Sequence, residues 1–168
     1  MLHEHFRTLA HFNQWANRQI YEAVAKLPAA EVTKQRPAAY FGSILNTLNH
    51  LLVVDRLWFG RVADVPSGLT RLDEILYDDF AALRAACQAE DQRIIDLVDG
   101  LDDATLAGDR AYSDTKGRPW TMPVRRMLTA VFNHQTHHRG QVHALLKEAG
   151  VEPPALDLPV FMYAEKWK

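Results

Sequence analysis

Apolar residues recur at steps of three and four along four long stretches of the chain, the spacing that gathers them on one face of an α-helix. The first stretch, about residues 2–27, carries Leu2, Phe6, Leu9, Phe12, Ala16, Ile20, Val24 and Leu27, and Pro28 follows where a helix should stop. Ser43 suits the N-cap of a second helix reaching about residue 62. With Ile44, Leu45, Leu48, Leu51, Leu52, Val54, Leu57, Trp58 and Phe59, that helix is apolar around most of its circumference and is expected to be buried. Pro66-Ser67-Gly68 breaks the pattern, which resumes over about residues 72–98 on Leu72, Leu76, Phe80, Leu83, Cys87, Glu90, Ile94 and Leu97. The fourth helix is predicted to begin near Met122 or Pro123, with Thr121 as N-cap, and to end at Gly150 before Pro153-Pro154. Between the third and fourth helices, Tyr112 and Trp120 flank Asp114-Thr115-Lys116-Gly117, a pattern that fits a short hairpin. The tail from Ala155 holds Leu158, Val160, Phe161, Met162, Tyr163 and Trp167, and is expected to pack back on the helices. The pattern predicts an all-α four-helix bundle with a packed C-terminal tail, one domain over residues 1–168.

The fourth stripe is interrupted by polar residues. It runs Met127, Val131, then His134, His138 and Gln141, and returns to apolar at Leu145. His134 and His138 are four residues apart, so both imidazoles project from one face, one turn from each other. Burying such groups is unfavourable unless each finds a partner, and a metal ion suits two imidazoles at this spacing. A third ligand must come from another helix. His50 is the strongest candidate, mid-way along the apolar second helix with Asn46 and Asp55 as its polar neighbours. His137 and His143 lie off the His134/His138 line, and of His3, His5 and His11 only His11 is deep enough to matter. Three protein ligands leave an open, reactive position, whereas a fourth from His11, Glu90 or Gln141 would close the site into a structural one.

Bland readings compete at each position. A histidine pair four apart is a common accident on exposed helices, and His50 alone reads as a hydrogen-bonded core residue. Gln141 either stands behind a metal ligand or lines a pocket. Glu90 is a partner of the site, a general base or a solvated edge residue. Arg139 reads as a surface residue or an interhelical pair, Asn13 and Trp15 as packing, and Cys87 as a small core residue.

Composition narrows the function classes. A chain of 168 residues with 48% hydrophobic and 24% charged residues can fill one core. Nineteen basic against twenty-one acidic residues give a net charge of −2, with no basic run to attract nucleic acid. A single cysteine excludes an internal disulfide and suggests a reducing compartment. Neither a secretory signal nor an apolar run of membrane length is visible, so a cytoplasmic location without a membrane partner is expected.

Three segments together carry a resemblance: Asn13-Gln14-Trp15-Ala16-Asn17, Leu48-Asn49-His50-Leu51, and His134-Gln135-Thr136-His137-His138-Arg139-Gly140-Gln141. In this order they resemble the DinB/YfiT-like family of metal-dependent enzymes, over nearly the whole chain. The resemblance implies a bundle of up-down-down-up topology, often a homodimer, and a divalent ion held by three histidines that map onto His50, His134 and His138. His137 fills the place where such proteins often carry a second histidine, and is not expected to be a ligand. Relatives include S-transferases that use low-molecular-weight thiols such as bacillithiol or mycothiol, and a maleylpyruvate isomerase. The expected function is a metal-dependent transferase or hydrolase that activates a small thiol or water on a small-molecule substrate. Zinc or nickel is the foremost ion, then iron or manganese. The alternatives are a non-catalytic metal- or small-molecule-binding protein of stress responses, and an interaction module whose histidines are merely core.

Overall fold

A computed structural model describes residues 2–167. Four long helices dominate: α1 (Leu2–Val24), α3 (Ile44–Ala63), α4 (Phe80–Asp99) and α6 (Val124–Glu148). Short helices α2 (Ala29–Thr33), α5 (Asp103–Ala107) and α7 (Leu158–Ala164) and a hairpin of β1 (Asp109–Ser113) with β2 (Pro119–Pro123) fill the connections. Tyr112 pairs with Trp120 across the antiparallel ribbon, as their flanking of the turn predicts.

Two clusters of buried side chains fix the helix directions. One gathers Phe6 from the start of α1, Phe59 and Val62 from the end of α3, Ile94 and Val98 from the end of α4, and Val124 to Val131 from the start of α6. The other gathers Ile20 and Val24, Ile44 and Leu48, Leu83 and Cys87, and Leu145 and Leu146, the opposite ends of the same helices. So α1 and α6 run one way and α3 and α4 the other, an up-down-down-up bundle. The parallel neighbours α3 and α4 need a connection that returns along the bundle, about 30 Å for a helix of 20 residues. Residues 64–79 provide it.

That connection corrects the third predicted helix, which starts at Phe80 and not at Leu72. Leu72 and Leu76 have helical spacing, but the chain there is tied to α3. Buried Asn49 accepts the backbone N–H groups of Leu76 and Tyr77 at 2.8 and 3.0 Å and donates to the Tyr77 carbonyl at 2.9 Å. Asp79 then caps α4 by accepting from the Ala82 N–H at 2.9 Å. Thr121 is likewise not a cap. It pairs with Ala111 in the hairpin, and Pro123 occupies the position before α6. Ser43 does cap α3, accepting from the Asn46 N–H at 3.1 Å. Beyond α6, Gly150 takes the left-handed conformation (φ 83°) that ends a helix without steric cost.

The tail packs on α1. Phe161 sits 5.8 Å from both Phe12 and Trp15, ring centre to ring centre, and the Trp167 indole donates to the Thr8 hydroxyl at 3.1 Å. His11 lies against Trp167, 4.6 Å between ring centres. Among the described residues, no helix is long and apolar enough to cross a membrane.

Candidate metal centre

The antiparallel neighbours α3 and α6 bring His50, His134 and His138 together, with candidate ligand nitrogens all within 4.8 Å of one another. The Nε2 atoms of His50 and His134 are 3.0 Å apart. Ring centres are 4.3 Å apart for His134 and His138 and 4.6 Å apart for His50 and His138. Phe41 stacks on His50 at 3.9 Å, closing one side. His50 and His138 are buried and His134 partly so.

Burial decides the protonation of the cluster. It pushes His50 down to about 4, against the Leu72 carbonyl bond that favours the charged ring and with the help of neighbouring His138. It pushes His134 down to about 3, helped by His138, His50 and His137. His138 is lowered as well, again chiefly by burial. All three rings are therefore neutral at pH 7, as metal ligands must be.

The protons have assigned places on two of the rings. His50 Nδ1 lies 2.7 Å from the Leu72 carbonyl, which can only accept, so the proton sits on Nδ1 and Nε2 offers a lone pair. His138 Nδ1 lies 2.8 Å from the Gln141 Oε1, with the same consequence. His134 can donate from Nε2 to His50, but its Nδ1 is then a buried acceptor with no partner among the described residues. Neutral ring nitrogens converging at this range, His50 and His138 each with its Nε2 lone pair free, fit a cation at the point they share. The cluster can hold a metal ion.

One side is open. A cavity of about 810 Å³ reaches His50 and His138 and is walled by Tyr40, Phe41, Asn46, Leu72, Asp73, Ile75, His137 and Gln141. Tyr40, Leu72 and Ile75 are exposed apolar side chains at its mouth, with Tyr40 83% accessible.

The proposed fourth ligands do not join the cluster. His11 is held under the tail by Trp167. Glu90 is neither a site residue nor a solvated one: it is buried, ion-paired with Arg93 and 4.0 Å from Arg56. Gln141 lines the cavity and bonds His138, while exposed His137 lies beside it.

A second buried polar cluster was only half visible in the sequence. Arg139 is 3% exposed, so the surface reading fails and the interhelical one holds. It donates to Asn13 and, at 3.1 Å, to Asn17 of α1. Both asparagines donate to Asp91 Oδ1 of α4, at 3.3 and 2.7 Å, so Asn13 is a polar bridge and more than packing. Burial lowers Arg139 to about 10 and raises Asp91 to about 7. Nearby Asp55 is buried and raised well above the carboxylate range by that burial, with neighbouring Gln135 working against the rise. The signal was present: Asn13 and Asn17, like Gln135 and Arg139, are four apart on core-facing stripes.

An up-down-down-up bundle with three convergent imidazoles beneath an open cavity defines a class, an all-α protein with a metal-capable histidine cluster. The chain belongs to the DinB family, whose family model matches residues 1–168. It is 27% identical over 174 residues to protein DinB of Bacillus subtilis (strain 168), spanning 94% of each chain. Its fold is similar to the crystal structure of a DinB-like protein from Bacillus cereus ATCC 10987, with a TM-score of 0.63 and 18% identity over 83% of this chain and 89% of that one.

Proposed function

We propose that the chain is a metal-dependent enzyme in which His50, His134 and His138 hold one divalent ion, zinc or nickel foremost, facing the cavity. The observation that carries this reading is the convergence of three neutral imidazoles within 4.8 Å, open on one side. As three uncharged ligands, His50, His134 and His138 would leave a bound divalent ion its full charge, and the chemistry it would supply is Lewis acidity that lowers the pKa of a thiol or water. The protein's own part is positional. The Leu72 carbonyl keeps the His50 proton on Nδ1, and Phe41 stacks over the same ring and shields it from water.

Tyr40, Leu72 and Ile75 give a small-molecule substrate an apolar wall, with the donor atoms at the cavity floor. The resemblance seen in the sequence favours a small thiol as nucleophile, hence S-transfer before hydrolysis. The same reading takes the working form as a cytoplasmic homodimer, which sedimentation velocity checks.

The test is elemental mass spectrometry of gently purified protein beside the triple variant His50→Ala, His134→Ala, His138→Ala. One divalent ion per chain, absent from the variant, is the expected result. No ion after incubation with zinc, nickel, iron or manganese overturns the reading. A bound ion without turnover in thiol-transfer or hydrolysis screens would leave a binding protein and not an enzyme.

A further inference from the structure

We propose that Gln141 is the positioning residue for His138, its amide oxygen holding the ring proton on Nδ1, a role that rests on the three histidines holding an ion. Gln141 is one turn beyond both rings, three residues from His138 and four from His137, so its amide reaches each of them. Its Oε1 lies 2.8 Å from His138 Nδ1, and its Nε2 lies 3.2 Å from His137 Nε2. The two rings meet edge to face with centres 4.7 Å apart.

The hydrogen-bond polarity of this chain of three groups is set from the His138 end. For His138 to offer the Nε2 lone pair to an ion, its proton must sit on Nδ1, and Nδ1–H needs an acceptor. Oε1 is that acceptor. The amide then presents its NH₂ to His137, whose Nε2 must accept. Reversing the amide would aim NH₂ at His138 Nδ1 and move the His138 proton onto Nε2, taking the ring out of service as a ligand. His137 can pair with either amide orientation by moving its own proton, so it does not select between them. His50 receives the same service from the Leu72 carbonyl, which cannot reverse. Gln141 is thus the brace that side-chain substitution can remove.

The probe is zinc alone, with affinity measured by competition against a chromophoric chelator. In parallel, nitrogen-15 correlation spectra of the metal-free protein at neutral pH read which ring nitrogen of His138 carries hydrogen. Gln141→Leu should lower zinc affinity about 10- to 100-fold and shift His138 from the Nδ1–H form toward Nε2–H, with helicity unchanged. Gln141→Glu, which still accepts, should restore the Nδ1–H form and most of the affinity. His137→Ala should cost less than Gln141→Leu in both readouts. Unchanged affinity in Gln141→Leu, or an unchanged His138 proton position, would overturn the proposal. A role in packing alone would lower the melting temperature without moving that proton. If the unaltered protein bound no zinc, the metal reading would fail by itself, while the metal-free spectra would still decide whether Gln141 sets the His138 proton.

Discussion

His134 and His138 of α6 meet α3, whereas Arg139, one residue on, meets α1, and the two polar groups are completed differently. Around Arg139 the protein supplies donors and acceptors from three helices: Asn13 and Asn17, Asp91, and the guanidinium itself. Around the histidines it supplies two carbonyl-type acceptors and leaves nitrogen facing nitrogen at 3.0 Å, with His134 Nδ1 unpaired. Polar residues on a core stripe are therefore no sign of a ligand site in themselves. What distinguishes one here is three ring nitrogens turned toward a shared point beside an open cavity.

The sharpest way to break this contrast is to exchange the phenotypes. Arg139→Met should destabilise the metal-free protein by about 3–5 kcal/mol in denaturant unfolding, because it strands the buried Asp91 system. A loss below about 1 kcal/mol would mean that the cluster is dispensable. His138→Ala should do the reverse: zinc affinity falls about 100-fold or more, while the midpoint of metal-free unfolding moves little.

The two clusters also answer pH with opposite sign. His50 and His134 have native values of about 4 and 3, below the ordinary 6.5, so unfolding takes up protons between these limits. The stability they contribute is whole above pH 6.5 and drains as pH falls toward 4. Asp91 is raised from 3.8 to about 7, so its contribution is whole below 3.8 and drains as pH rises from there to 7, opposing the histidines within the same window. Above pH 7 neither cluster should change the melting temperature of the metal-free protein. Asp91→Asn should steepen the acid-side decline between pH 7 and 4, and an unchanged slope there would remove Asp91 from the account.

The smallest effect concerns the cavity mouth. In a series of straight-chain thiols tested on zinc-loaded protein, each methylene should improve inhibition or binding about fourfold, from about 0.8 kcal/mol of burial. Ile75→Ser should shrink that increment. A flat series would mean that Tyr40, Leu72 and Ile75 do not contact the ligand.

Much of this was legible because it is local. Stripes at steps of three and four gave the long helices, and His50 stood out as a histidine within an apolar helix. Residues 72–79 misled because Leu72 and Leu76 carry helical spacing while the deciding bonds come from Asn49, 27 and 28 residues earlier. Arg139 was readable only in part because its partners lie 122 and 126 positions away on α1. The Leu72 carbonyl could not be found at all as the partner of His50, since a backbone atom leaves no mark in the residue type.

Cys87 has a use that its burial confers. It is the chain's one cysteine, enclosed in the buried cluster that holds Ile20, Ile44, Leu83 and Leu145, and burial drives its thiol well above the ordinary range. Alkylating reagents attack thiolate, so labelling must wait for an opening of the bundle. With excess reagent and fast reclosure, the labelling rate scales with the population of open molecules. Cys87 thus serves as a single built-in reporter of how often the core breathes, and of how far an added ion suppresses that breathing.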